Sequence, residues 1–420
     1  MTVTIFGEQP AEKPAEAITT PVNPLNVLVL NAGSSTLKFR LLRIEGKREA
    51  DEKLLARGLV EKWGTSDARL KMQVEGGADE ERGVAAETTA HAAEHAIEAC
   101  KPLGIQALGH RVVHGGPRFR EPARISQEVI EALRGVSHLA PLHNGLALAG
   151  IEAGMKLLPE TPAFAVFDTA FHQTIPEYAA IYAIPRDLAE KHSLRRYGFH
   201  GISHRYVSGK LIECLNRPVV GSRVITCHLG NGASVCAVRD GHSVDTSMGL
   251  TPMEGLVMGT RSGDIDPGLM LHLMSVENMG REQLDELLNR KSGLMGLSGK
   301  ADMREVEKAA HEGDMAAELA MEIFAYRLRK YIGAYAVVLG GVNGIAFSGG
   351  IGEHSVEVRK RVCNGLHLLG LHLDEGLNSS VTADTPTRIS SSLAGPEIWV
   401  IPTDEERQIA REVAQILSSS

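Results

Sequence analysis

A chain of 420 residues exceeds what a single hydrophobic core serves, so two domains are the expectation. Hydrophobic content of 43% and charged content of 23% are those of a globular protein, and a net charge of −8 argues against non-specific nucleic-acid binding and attraction to an anionic membrane. The five cysteines are scattered and never in Cys-x-x-Cys spacing, which fits a reducing compartment, and no apolar run approaches the roughly 18 residues a membrane span needs. A cytoplasmic protein is expected.

Residues 1–25 read as a flexible extension, rich in proline and with neither a secretory nor a transit signature. Strands follow at 27–30 and 37–42, and the turn between them is Asn31-Ala-Gly-Ser-Ser-Thr36. A hairpin turn built of glycines, hydroxyls and amides aims several backbone N–H groups one way, and phosphate is the commonest occupant of such a cradle. A helix is predicted over 87–100 and a strand over 105–110, leading into Arg111-Val-Val-His-Gly-Gly116. Helices are predicted over 126–133, with Ser126 as N-cap, and over 145–158. The apolar run 162–167 reads as a buried strand ending at Asp168.

A second domain is placed from 171, and its hairpin repeats the first about two hundred residues on: strand 224–227, turn His228-Leu-Gly-Asn-Gly-Ala233, strand 234–238. Residues 314–339 predict one long helix, with Leu319, Ile323, Phe324, Leu328, Tyr331 and Ile332 on its apolar face. Strand 344–347, the turn Ser348-Gly-Gly-Ile-Gly-Glu353 and a helix from Ser355 have the shape of a nucleotide-binding corner. Strand 397–401 and helix 404–417 close the chain. The expected division is 26–170 plus 406–420 for one domain and 171–405 for the other. Neither a Gly-x-x-x-x-Gly-Lys-Ser/Thr loop nor a Gly-x-Gly-x-x-Gly turn after the first strand is present, so the phosphate grip is of the paired-hairpin kind.

Several residues bear chemistry. Alternation with Leu37 and Phe39 turns Lys38 away from the core, beside the first cradle. Arg111 and Arg261 lie in glycine-flanked segments, where a guanidinium can approach a phosphoryl or carboxylate group with two donors. Thr403-Asp-Glu-Glu406 fits a capping box, which would occupy Glu406 and leave Glu405 as a hard oxygen donor suited to Mg²⁺. His200 and His204 are four apart, but no glutamate lies between them and no third ligand completes a zinc set. His143 and His228 read as donors to phosphate. Asp168 stands at a strand end, where active-site carboxylates of open α/β sheets sit.

The segments beginning at Asn31, Gly109, His138, Phe167, Arg196, His228, Gly259, Gly349 and Pro402 together resemble the acetate kinase family over residues 27–417. The resemblance implies an α/β fold of two duplicated actin-like, ribonuclease H-like ATPase domains, each a mixed sheet flanked by helices, with the active site in the cleft between them. It implies reversible transfer of the γ-phosphoryl group of ATP to acetate, with Mg²⁺ (or Mn²⁺), in a homodimer. By the same resemblance Asp168, His200, Arg261 and Arg111 are catalytic. Arg111, Val113, Leu142, His143, Phe199 and Pro252 hold the acyl substrate, and Asn31 lies near the metal with Glu405. Nucleotide contacts fall on Ser34, Thr36, Lys38, His228, Leu229, Gly230, Asn231, Gly232, Asp302, Met303, Arg304, Gly350, Ile351, Gly352, Glu353 and His354. Thr36 replaces the more usual serine and His354 the more usual asparagine.

The acceptor is a carboxylate already ionised at neutral pH, so Asp168 is expected to orient an arginine, substrate or metal-bound water rather than remove a proton. A propionate or other short-chain acyl kinase would share these segments; the bulk of Val113 favours acetate. A nucleotide-gated binding module would need a peptide-binding domain, for which these residues leave no room. A sugar kinase would need polar, hydroxyl-reading groups where Val113, Leu142 and Phe199 stand.

Overall fold

The computed structural model describes residues 24–33, 35–46, 51–137, 140–382, 384–391 and 395–419, without the side chains of 141 and 142. The expected N-terminal extension therefore lies almost wholly outside the described residues, as do Ser34, expected at the nucleotide, and the side chain of Leu142. Two mixed sheets carry the fold. The first contains β1 (Leu25–Ala32), β2 (Thr36–Ile44), β3 (Glu52–Glu61), β4 (Arg69–Val74), β5 (Glu80–Gly83), β6 (Ala107–Val112), β7 (Ala123–Arg124) and β8 (Ala163–Phe167), in the order β5-β4-β3-β2-β1-β6-β8-β7. The second contains β9 (Arg223–Leu229), β10 (Ala233–Arg239), β11 (His242–Thr246), β12 (Gly344–Ser348), β13 (Thr387–Arg388) and β14 (Glu397–Val400), in the order β11-β10-β9-β12-β14-β13.

The two sheets repeat one plan. In each, an antiparallel meander begins with a glycine-bearing hairpin, two later strands add parallel to the first, and a short antiparallel strand closes the edge. Parallel central strands must be covered on both faces, and β8 and β12 are accordingly buried at every position. On the first sheet, Ala92, Ala96 and Ile97 of helix Thr89–Cys100 pack on Leu28 and Leu108, while Ile409 and Val413 of helix Glu405–Ser419 pack on Val27, Val29 and Phe164 across the other face. On the second, Phe324, Leu328 and Ile332 of helix Met315–Leu339 meet Ile225, Val235 and Ile345, and Val207 and Leu211 of helix Gly201–Cys214 meet Val224 and Ala346.

Four local expectations change. β6 runs on to Val112, so Arg111 is a strand residue, and the helix expected from 145 begins at Pro141 and carries His143. The 348–353 turn is itself the short helix Gly349–His354, entered through Gly349 at φ +75°; Ser355 then caps helix Val356–Cys363 by accepting from the Val358 N–H at 2.9 Å. Leu319 is 58% exposed, off the buried stripe of its helix. Ser126 caps its helix as expected, accepting from the Val129 N–H.

Candidate active site

Because β1, β6 and β8 are adjacent and parallel, their C-terminal ends bring Asn31, Arg111 and Asp168 together. Arg111 Nε and Nη2 donate to the two oxygens of buried Asp168 at 3.1 and 2.7 Å, and Nη1 donates to Asn31 Oδ1 at 3.1 Å. The N-terminus of helix Glu405–Ser419 enters from the far end of the chain, and Glu405 Oε2 lies 3.7 Å from Arg111 Nη1. Burial opposes the charge on Arg111, but the carboxylates of Asp168, Glu405 and Glu406 outweigh it and raise the guanidinium further. At Asp168 burial prevails over the pull of Arg111 and raises the carboxyl. Burial opposes the charge on half-buried Glu405 too, yet Arg111, His228, Lys38 and the Asn31 amide together lower it.

The capping-box expectation at this helix is overturned. Asp404 is the N-cap: its side chain accepts from the Arg407 N–H at 3.0 Å and its carbonyl from the Gln408 N–H. Thr403 instead shares a 2.7 Å hydrogen bond with Ser203. Glu406 is turned into the site, accepting from Asn31 Nδ2 at 2.8 Å, with Arg40 Nε at 3.8 Å. Asn31 is thus held by both of its amide atoms, the oxygen by Arg111 and the nitrogen by Glu406, with Glu405 at 3.5 Å.

The second sheet faces this cluster with its own hairpin, tied by a 3.0 Å bond from the Gly230 N–H to the Gly232 carbonyl. His200 opens helix Gly201–Cys214 at φ +57°, a conformation that costs a histidine energy and persists here because its surroundings enforce it. The next residue must be glycine, since a Cβ at Gly201 would collide with the Asp168 carbonyl to which its N–H is bonded. A Cβ at Gly232 would lie 3.4 Å from Arg261 Nη1 and 3.6 Å from His200 Nε2, so these two groups flank one small space. Arg261 donates to the Pro252 carbonyl at 3.1 Å and, among the described residues, has no carboxylate within ion-pair distance. Burial lowers its pKa. A half-buried guanidinium lacking an anion is a site for one. His143 lies within electrostatic range of both arginines: burial, then Arg261 and Arg111, lowers its pKa.

A cavity of about 1100 Å³ runs between the sheets, lined by Asn31, Lys38, Arg111, His200, Gly232 and Glu405 among others. Lys38 is exposed on β2, opposite Asn31 in the hairpin register. Beside it a cavity of about 550 Å³ is lined by Gly230, Asn231, Asp302, Met303, Arg304, Gly350, Ile351 and His354, together with Ala301, Glu307 and Ser355.

The family model of the acetokinase family matches residues 26–411. The chain belongs to the acetokinase family. It is 45% identical over 407 residues to an acetate kinase of Dictyoglomus thermophilum, spanning 94% of this chain and 99% of the relative, and 46% identical over 408 residues to one of Thermotoga maritima, with the same shares. The acetate kinase of Porphyromonas gingivalis superposes with a TM-score of 0.86 at 41% identity, covering 94% of this chain and 100% of that one. A propionate kinase of Francisella tularensis superposes with a TM-score of 0.84 at 40% identity, covering 92% and 98%.

In this chain, the residues expected to meet nucleotide do not all face the cavities. Glu353 spends its carboxylate on the Gly349 N–H at 2.7 Å and the Thr403 N–H at 3.0 Å, so it braces the turn. Leu229 is wholly buried and Gly352 gives its carbonyl to Arg359, whereas Asp302, which lines the smaller cavity, also caps helix Met303–His311 and pairs with exposed Arg304. Phe199 is fully buried, and half-buried Val113 packs against the same core cluster. Sequence reasoning missed Glu406, Ser203, Ser234 and Thr403. For Ser203 there was a signal: with His200 and His204 it forms an i, i+3, i+4 set on one helical face.

Proposed function

We propose that this member of the acetokinase family transfers the γ-phosphoryl group of ATP to acetate, reversibly and in line, giving ADP and acetyl phosphate. The observation that carries this reading is Arg261, a guanidinium without a carboxylate partner among the described residues, converging with His200 on Gly232, which with His200 lines the cavity. Phosphoryl transfer needs positioning and neutralisation of equatorial oxygens more than covalent help. Arg261 and His200 supply donors to those oxygens, Lys38 and the second hairpin hold the phosphate chain, and the smaller cavity takes the adenosine. Arg111, fixed on Asp168, presents its remaining N–H groups to the acyl end. Asp168 acts by orienting Arg111, since the acetate nucleophile is ionised without help. Val113, Leu142, Phe199 and Pro252 are the proposed wall around the acetate methyl.

The donor set fits Mg²⁺ or Mn²⁺. Glu405 offers a hard carboxylate beside the phosphate cradle, and the described residues contain no cluster of three His, Cys, Asp or Glu that would cage the ion in protein alone. A bound ion would be held by Glu405, water and substrate phosphates, and would neutralise phosphate charge; Asn31 is tied to Arg111 and Glu406 and orients these groups.

Further parts of the reading rest on packing. The division into 26–170 with 406–420 and 171–405 is supported by the two sheets and by Ile409 and Val413 seated on the first of them; closure of the two halves would exclude water. Helix Pro267–Val276 buries none of its residues and exposes Leu271 to 70%, and we assign that face to a second copy in a homodimer. No helix among the described residues is long and apolar enough to cross a membrane, and a cytoplasmic location suits the free cysteines.

A hydroxamate assay with ATP, Mg²⁺ and acetate, propionate or butyrate tests the function. Acetate should give the highest kcat/KM. The likeness to a propionate kinase makes propionate the second reading, and a higher kcat/KM for propionate would select it.

A further inference from the structure

Three side chains behind His200 form with it a continuous chain of hydrogen bonds that reaches into the second sheet. His200 Nδ1 lies 2.9 Å from Ser234 Oγ, the same oxygen lies 2.7 Å from His204 Nε2, and His204 Nδ1 lies 2.7 Å from Thr226 Oγ1. Ser234, His204 and Thr226 are completely buried. They are brought together by the helix, which sets His200 and His204 one turn apart, and by β9 and β10, which carry Thr226 and Ser234.

The proton count in this chain admits only two arrangements. Burial, reinforced by neighbouring histidines, pushes both rings well below the usual histidine range, so each is neutral and carries a single N–H. The Ser234 hydroxyl has one proton and two ring nitrogens to satisfy, so it donates to one and accepts from the other. In the first arrangement Thr226 donates to His204 Nδ1, His204 Nε2–H donates to Ser234, and Ser234 donates to His200 Nδ1. Every proton is used, and His200 keeps its N–H on Nε2. In the reverse arrangement all three bonds flip, and the Thr226 hydroxyl proton is left without an acceptor, since among the described residues Thr226 Oγ1 meets only His204. A buried unpaired donor costs about 1–3 kcal/mol, which favours the first arrangement by a factor of roughly 5 to 150.

We propose that Ser234, with His204 and Thr226 behind it, is a positioning residue that fixes His200 as the Nε2–H tautomer and so makes it a hydrogen-bond donor at the space it shares with Arg261. This rests on the proposed phosphotransfer role of His200. The opposite tautomer would aim a lone pair at phosphoryl oxygens and repel them. Neither Ser234 nor Thr226 need touch a substrate for this effect.

Long-range ¹H–¹⁵N correlation spectra of the wild-type histidine rings test the tautomer without turnover, the His200 signals being assigned by their loss in His200→Asn. The expected pattern at neutral pH is an unprotonated Nδ1 and a protonated Nε2. In the hydroxamate assay Ser234→Ala should lower kcat by about 10- to 100-fold with the KM values for ATP and acetate little changed. Thr226→Val should lower kcat in the same sense, while Thr226→Ser, which restores the hydroxyl, should stay near wild type. A protonated Nδ1, wild-type kcat in Ser234→Ala, or equal losses in the two Thr226 variants would overturn the proposal. Absence of acyl phosphate formation by the wild type would instead overturn the functional reading, whatever the tautomer.

Discussion

Replacing Asp168 by asparagine separates two roles for this carboxylate. Asparagine keeps the shape but removes the charge, and its NH₂ group would face an Arg111 N–H where a carboxylate oxygen now accepts. The lost bonds are charge-assisted, at 3.1 and 2.7 Å, and breaking a buried ion pair by removing one partner typically costs about 3–5 kcal/mol. Arg111 retains Asn31 Oδ1 at 3.1 Å and Glu405 at 3.7 Å, so the lower end, about 3 kcal/mol, is expected here. Thermal unfolding should fall by several degrees. The guanidinium would also lose its fixed orientation, and kcat in the hydroxamate assay should drop by about 100-fold, or about 2.7 kcal/mol of transition-state stabilisation. The shape of the pH–rate profile should not change, because no proton is being moved. Unaltered thermal stability together with loss of one limb of that profile would refute the reasoning and make Asp168 a proton-transfer group.

Arg261→Lys should lower kcat far more than it raises KM, because lysine keeps the charge but not the planar fork; a rise in KM alone would show that Arg261 binds the ground state. Glu405→Ala should raise the Mg²⁺ concentration needed for half-maximal rate sharply. Glu406→Ala should cost kcat through a loosened Asn31, with Asp404→Ala costing about 1 kcal/mol of stability as the true cap; a Glu406→Ala variant with full activity would restore Glu406 to a helix-start role. Burial lowers His110 to about 4, and its Nε2 finds no partner among the described residues. The folded state therefore resists a proton that the unfolded chain takes up near pH 6.5. This stability is fully present above that pH and is lost as pH falls toward 4, by about 1.4 kcal/mol at about pH 5.5. Denaturant titrations across this range should show a shallower pH slope for His110→Gln than for wild type, and equal slopes would exclude His110 as a source of acid lability.

Much of the fold was legible because it depends on local pattern. Both hairpins, the buried strands β8 and β12 and the long helix Met315–Leu339 follow from apolar periodicity and turn chemistry, and the repetition of the hairpin foretold the repetition of the sheets. Lys38 was placed correctly by alternation alone. What sequence could not decide were choices between partners distant along the chain. Glu406 satisfies a capping-box spacing, yet Asp404 caps the helix because the packing of that helix on β1 and β2 sets Glu406 against Asn31 and Arg40. Glu353 looked like a nucleotide contact but serves as a brace, since the turn around it closes back on Gly349 and Thr403. His204 carries no sequence sign of its tie to Ser234, thirty residues away, which exists only once the helix lies across β9 and β10. Local propensity ranks what each residue can do; which hydrogen-bond and charge partners it meets is a property of packed surfaces, and a single chain position does not encode them.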